Sequence, residues 1–110
     1  MRSLLEEMQQ CKSVDDCIEC ALIDAYGDAE QAVAWLTCIE AMFGRFRRVK
    51  VMGDEVDLKG FDLSNDTIVA VCRQGKKKAR VALESIEFAE LTPIEARWLK
   101  AWKQFSREIG

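Results

Sequence analysis

Acidic side chains collect in the middle of the sequence, among short segments separated by turn residues. Asp62 and Asp66 bracket a predicted loop, and Asp24 lies off the apolar stripe of a predicted helix. Carboxylates are suitable ligands for calcium, which takes six to eight hard oxygens. The spacing differs from the EF-hand pattern, and acidic loop residues are commonly just solvated. We therefore predict a weak calcium site through Asp62 and Asp66, with Asp24 as an optional third ligand.

Two basic runs flank the acidic stretch. If the first and fourth predicted strands are neighbours, the runs merge into one patch that could bind an acidic protein, a second copy of the chain or RNA. RNA is less favoured, because the net charge is −3 and only Phe46 lies nearby for base stacking. A solvated, lysine-protected edge strand is the alternative. The predicted partner-binding residues are Arg45, Arg47, Arg48, Lys76, Lys77 and Lys78.

The five cysteines include a CxxC motif, Cys17 to Cys20. Such a pair can serve redox chemistry or half of a zinc site. Here it lies inside a predicted helix without a second pair, and adding Cys11 and Cys38 gives no recognised zinc spacing. We interpret all five as structural, reduced thiols. Cys20 is predicted to be the most exposed, with a pKa raised by the flanking carboxylates.

Composition excludes several functional classes. The 110 residues contain no histidine, no nucleophilic triad and no phosphate-binding glycine loop, so we predict a non-enzymatic protein. No apolar run is long enough to span a membrane, and the N-terminus lacks a secretion pattern. Together with the unpaired thiols, this predicts a cytoplasmic protein whose one candidate cofactor is Ca²⁺.

The N-terminal part has helical periodicity. A short helix capped by Ser3 precedes a second, capped by Ser13, that is predicted to run from Val14 to Tyr26 and stop at Gly27. Asp28 is predicted to cap the next helix, which reaches about Phe43. A one- or two-residue link would make these two helices a hairpin.

From Arg45 to Phe88 the apolar period changes to two. We predict strands over 46–52, 55–61, 67–72 and 78–83, with a bulge near Phe46, a loop over 62–66 and a short last element over 86–88. Thr92 and Pro93 open a final helix. Four large aromatic residues lie on helical stripes and are predicted to pack in the core or at its rim: Trp35, Trp98, Trp102 and Tyr26. The fold class is therefore α+β in one domain: a helical hairpin over 1–44, a small SH3-like or Sm-like antiparallel barrel of four to five strands over 45–90, and a C-terminal helix over 91–110.

Three pieces of the chain resemble a known family, the small calcium-binding proteins first described in cyanobacteria and found in other bacteria. The pieces are 23–26 with 30–35, 75–87, and the closing helix with Trp98 and Trp102. The resemblance implies a helix, an SH3-like barrel and a C-terminal helix, together with weak cation binding by surface carboxylates. The segment after Trp35 and the basic first strand depart from the family. The resemblance therefore predicts the fold of this chain better than it predicts calcium binding.

Overall fold

The computed structural model describes residues 3–23 and 25–109, and the side chains up to residue 107. Its elements are α1 (Leu4–Gln9), α2 (Val14–Ala21), α3 (Asp28–Phe43), β1 (Arg48–Val51), β2 (Asp54–Ser64), β3 (Thr67–Gln74), β4 (Lys77–Ala82), a 3₁₀ turn (Leu83–Ser85), β5 (Ile86–Glu87) and α4 (Pro93–Ile109). The predicted α+β class, with helices at both ends of a barrel-like antiparallel sheet, is confirmed. None of the described helices combines the length and apolar character that a membrane span requires.

The five strands form one sheet in the order β4-β3-β2-β1-β5. Two hairpins use two-residue turns with positive φ at both positions, at Met52 and Gly53 and at Asn65 and Asp66. Such turns match the right-handed twist of the flanking strands. β4 lies at one edge of the sheet and pairs with β3, whereas β1 lies between β2 and β5. The condition under which the two basic runs would merge, that the first and fourth strands are neighbours, is therefore not met.

Helix α3 is the central element of the core. Its Trp35 is fully buried and meets Trp98 and Trp102 of α4 edge to face, with ring centroids 6.0 and 5.5 Å apart. Edge-to-face contacts of this kind add to the stabilisation from buried area. A second aromatic group, formed by Phe43, Phe46 and Phe88, lies beside the sheet. The prediction that all three tryptophans pack inside is confirmed.

Several predicted boundaries at the link between α2 and α3 are wrong. α2 ends at Ala21 rather than Tyr26, so the link to α3 is longer than predicted and Tyr26 is exposed. Gly27, with φ of 89°, is the N-cap of α3 and has no side chain that could accept a hydrogen bond from the first helical amides. The predicted capping by Asp28 is wrong, because Asp28 is the first residue of the helix and Gly27 is the cap. The carboxylate of Glu30 accepts a hydrogen bond from the Tyr26 N–H, just before the cap, at 2.9 Å.

The strands also differ in detail from the prediction. Phe46 precedes β1 and is buried without belonging to it, and the irregular register lies in β2 between Leu58 and Gly60. β2 continues to Ser64, so the predicted loop over 62–66 shrinks to the Asn65 and Asp66 turn. Antiparallel pairing with β3 satisfies the backbone hydrogen-bonding groups of residues 62–64, so the strand continues past these polar positions.

Candidate functional site

The predicted calcium ligands do not share one loop. Asp62 lies in β2, where its Oδ2 accepts a hydrogen bond from Nη2 of Arg80 at 2.8 Å and its Oδ1 accepts one from the Leu63 N–H at 2.8 Å. Asp66 lies at the tip of the β2–β3 turn. Asp24 falls outside the described residues. Because Asp62 forms an ion pair with Arg80, its carboxylate is less available to a cation than that of Asp66.

Asp66 lines a cavity together with Asp28, and not with the predicted Asp62. A cavity of about 530 Å³ opens between the start of α3, the β2–β3 turn and the end of α4. Asp66 and Asp28 both line it, and Asn65, Gln31 and Ser106 are among the other lining residues. These groups offer oxygen ligands to a cation, although the N-terminus of α3 carries a positive partial charge that opposes one.

A ready-made metal centre is not found in the described part of the chain. No three histidine, cysteine, aspartate or glutamate side chains there are grouped so that they could hold an ion. Two carboxylates in the cavity leave most of the coordination of a calcium ion to amides, hydroxyls and water. Any calcium site here would be weak, as the number and charge of the ligands set the affinity.

The arginines of the first basic run bond to other residues of the fold. Arg45 donates two hydrogen bonds to the buried Glu95, from Nη2 to Oε1 at 2.7 Å and from Nε to Oε2 at 2.8 Å, and lies over the Phe46 ring. The bond from Arg45 holds the pKa of the Glu95 carboxyl below its usual value, and the Arg45 pKa is correspondingly raised. Arg45 is therefore a structural residue that joins the barrel to α4.

The other arginines of that run also have partners. Arg48 faces Glu55 and Asp57 of the neighbouring strand at 3.6 and 3.8 Å. Arg47 donates from Nη1 to the Gly44 carbonyl at 3.1 Å. The charge on Arg48 is partly balanced, so the first basic run is a weaker partner-binding candidate than its composition suggested.

The second basic run is more open. Lys76, Lys77 and Lys78 are exposed at the β3–β4 turn and the start of β4, and none of them forms an ion pair with a described residue. Arg73 lies directly across from Lys78 in the ladder, and its Nε donates to the Gly75 carbonyl. Like charges opposite each other destabilise a strand pair. This tip of the hairpin therefore carries unbalanced positive charge.

Two further features were not anticipated. Ile23 and Tyr26 of the α2–α3 link and Val33 of α3 are large apolar side chains that are 73%, 78% and 54% exposed. The sequence placed Tyr26 on a buried stripe because it assumed a longer α2. Cys11, Cys17, Cys20 and Cys38 also influence one another's pKa, which the spacing in sequence did not indicate.

Burial governs the chemistry of these thiols. It is the largest cause of the raised pKa at every cysteine, which reaches about 11 at Cys17 and Cys20 and about 12 at Cys38. Cys20 is the least buried of the five, as predicted. Its pKa is raised as predicted, but by burial and by the neighbouring Cys11 ahead of any carboxylate. At neutral pH the thiols are protonated and are poor nucleophiles.

Comparison with known proteins adds no relative to this picture. No family model, no curated protein and no solved structure matches the chain. The resemblance to the cyanobacterial calcium-binding proteins therefore stays a prediction, and the function has to be argued from the surfaces described above.

Proposed function

We propose that the protein is a non-enzymatic cytoplasmic binding module, and that an acidic, extended segment of a partner protein binds along β4. The observation that carries this proposal is the position of the lysine-rich hairpin arm on an open edge of the sheet. β4 pairs with β3, and its opposite side faces no other strand of the described chain. An open edge can accept an added strand through its free backbone N–H and C=O groups.

Exposure along β4 supports this role. Lys77, Lys78, Ala79 and Arg80 are all exposed, including Ala79, which alternation predicts to face inward. The side chains that would flank an added strand are therefore accessible. Five free cysteines are compatible with the reducing cytoplasm.

The positive charge of the β3–β4 hairpin favours an acidic partner. Arg73 and Lys78 face each other across the ladder, beside two further lysines without described acidic partners. An acidic segment would relieve this repulsion, whereas a second copy pairing through its own β4 would increase it. Single-stranded nucleic acid would also supply negative charge, but this part of the hairpin lacks aromatic side chains for stacking.

A peptide titration tests the proposal. The probe is a short labelled peptide that alternates Glu and Val, compared with a peptide in which Gln replaces Glu. We expect the acidic peptide alone to bind, more weakly as salt rises, and to shift the backbone amide resonances of β4. A double change, Lys77→Glu with Lys78→Glu, should abolish binding.

Arg48→Gln is the matched control, because it removes a basic residue of another strand and should leave peptide affinity unchanged. Binding that survives the lysine changes would refute the proposal, as would the absence of binding at low salt. Preference for single-stranded RNA over the acidic peptide would assign the surface to nucleic acid instead. If the lysines serve only to block edge-to-edge pairing, the wild type should bind no peptide, and replacement of the lysines should increase self-association.

A second candidate function is weak calcium binding, and the observation that favours it is the shared cavity of Asp28 and Asp66. Calorimetric titration with Ca²⁺ should show weak heat that Asp66→Asn removes. Asp62→Asn is the control, since Arg80 already engages that carboxylate. Equal loss in both variants, or no heat and no change in the thermal midpoint of the wild type, would exclude this site.

A further inference from the structure

An open groove lies beside the first turns of α3, and we call it the α3 groove. Its volume is about 450 Å³, and five of its six lining residues are apolar: Ile23, Ala25, Ala29, Glu30, Val33 and Ala34. Ile23 is 73% exposed and Val33 is 54% exposed. Large apolar side chains gain free energy when a partner removes them from water, and exposed groups of them mark interaction sites.

The α3 groove lies in a stretch of the chain that carries only negative charge. Residues 13–44 contain seven aspartate or glutamate residues and no lysine or arginine. Those of the seven that lie among the described residues are all exposed, and none forms an ion pair with a described residue. Glu30 itself lines the groove, and the hydrogen bond from the Tyr26 N–H to its Oε2 holds it there. The groove therefore combines exposed apolar surface with negative charge that no described basic residue balances.

We propose that the α3 groove binds an amphipathic helix of a partner protein that carries lysine or arginine beside its apolar face. Contact with Ile23 and Val33 provides the apolar part of the affinity, and the surrounding carboxylates select a basic partner. The surface is separate from β4, for which we propose an acidic partner. The two surfaces favour opposite charges, so one module could join two different proteins.

The backbone around the α3 groove favours a helical partner over an extended one. The groove is built from a helix and the α2–α3 link, and neither contains a strand residue. An extended segment bound there would find no strand edge for its backbone N–H and C=O groups, whereas a helix satisfies these groups internally. Ala25, Ala29 and Ala34 are small, so a second helix can approach closely.

Charge argues against other occupants of the groove. A second copy docked through the same groove would place Glu30 and its neighbouring carboxylates close to their equivalents. Nucleic acid and the anionic face of a membrane would be repelled in the same way. The basic hairpin of a second copy has the complementary charge, but residues 76–80 include no large apolar side chain that could fill the groove.

A titration with designed peptides at low salt tests the proposal. The probe is a labelled amphipathic helical peptide with leucine on one face and lysine on the other. It is compared with a peptide in which Glu replaces Lys and with a scrambled peptide of the same composition. We expect only the basic amphipathic peptide to bind, more weakly as salt rises, and to shift the amide resonances of the α2–α3 link and the start of α3.

Two variants locate the binding on the α3 groove. Ile23→Gln combined with Val33→Gln should lower the affinity at least about tenfold, because both replacements remove large apolar side chains from the interface. Glu30→Gln keeps an oxygen that can accept the hydrogen bond from the Tyr26 N–H, and it should weaken binding at low salt more than at high salt. Circular dichroism should first show native helix content in each variant.

Leu5→Gln is the matched control, because it removes an exposed apolar side chain of α1 that lies outside the groove. It should bind the peptide as the wild type does. Lys77→Glu with Lys78→Glu, which abolishes the proposed binding at β4, should not weaken binding at the groove, so the two proposals can fail separately.

Three outcomes would overturn the proposal. The first is a folded wild type that does not bind the basic amphipathic peptide at low salt. The second is equal binding of the acidic or scrambled peptide, or binding that the Ile23 and Val33 changes leave intact. The third is dimerisation of the wild type in sedimentation experiments that Val33→Gln abolishes, which would assign the groove to a second copy of the chain.

Discussion

Arg45 and Glu95 form a two-bond ion pair across fifty residues of sequence, with N–O distances of 2.7 and 2.8 Å. The pair ties the segment before β1 to the first turn of α4. Glu95 is 4% exposed and also accepts a hydrogen bond from the Thr92 N–H at 2.9 Å, so one carboxylate serves both the ion pair and the helix cap.

Replacement of Glu95 should make stability depend on pH in a defined direction. The pKa of Glu95 is lowered in the folded protein from an ordinary value of 4.5, chiefly by the hydrogen bond from Arg45. The unfolded chain therefore takes up this proton first as pH falls. The stabilisation is complete above 4.5 and is lost as pH decreases through the folded pKa. Glu95→Gln should be less stable than wild type at neutral pH.

Urea unfolding at a series of pH values measures this effect. The difference between wild type and Glu95→Gln should shrink as the solution becomes acidic, while Glu40→Gln, at an exposed position of α3, should follow the wild type throughout. A difference that stays constant from neutral to acidic pH would show that the charge of Glu95 contributes nothing.

Two buried tryptophans should respond differently to the same replacement. Nε1 of Trp98 donates a hydrogen bond to the Met8 carbonyl at 3.0 Å, whereas Nε1 of Trp35 has no partner among the described residues. Both side chains are fully buried, so Trp→Phe removes a similar volume from each. Trp98→Phe should cost about 1 kcal/mol more than Trp35→Phe, the net value of a buried hydrogen bond. Denaturant midpoints of the two variants would refute this if they agreed or reversed.

Two threonines should respond with opposite signs to replacement by alanine. Thr92 caps α4, with its Oγ1 accepting from the Glu95 N–H at 3.3 Å, and Thr92→Ala should lower the free energy of unfolding by about 1 kcal/mol. Thr37 lies exposed inside α3, bonded to the Val33 carbonyl of its own helix. Thr37→Ala should raise stability by about 0.5 kcal/mol, because alanine is the better helix former. Thermal unfolding of both variants in parallel provides the comparison.

The β1–β2 turn contains an unfavourable residue that can be improved. Met52 has a φ of 52° and is 93% exposed, so its side chain gains little from burial while its backbone is in the left-handed region. Asn tolerates that conformation better, and we expect Met52→Asn to stabilise the protein by about 0.5 kcal/mol. The reverse change at the equivalent position of the next hairpin, Asn65→Met, should destabilise it. A loss of stability in Met52→Asn would contradict this explanation.

Local patterns predicted the helices and strands well where the signal lies in neighbouring residues. The caps at Ser3, Ser13 and Thr92 all form as expected. The errors lie at the ends of elements. α2 stops before its predicted end, and β2 extends past Asp62 because its backbone pairs with β3 there.

The sequence by itself determined the α+β class, the helix caps and the burial of Trp35, Trp98 and Trp102, since these depend on periodicity and on short-range hydrogen bonds. Only the tertiary structure decided which charged side chains meet. Strand order moved the two basic runs apart, Arg80 engaged Asp62, and Asp66 came to face the same cavity as Asp28. Such meetings depend on register and on the packing of elements distant in sequence, which residue spacing along the chain does not encode.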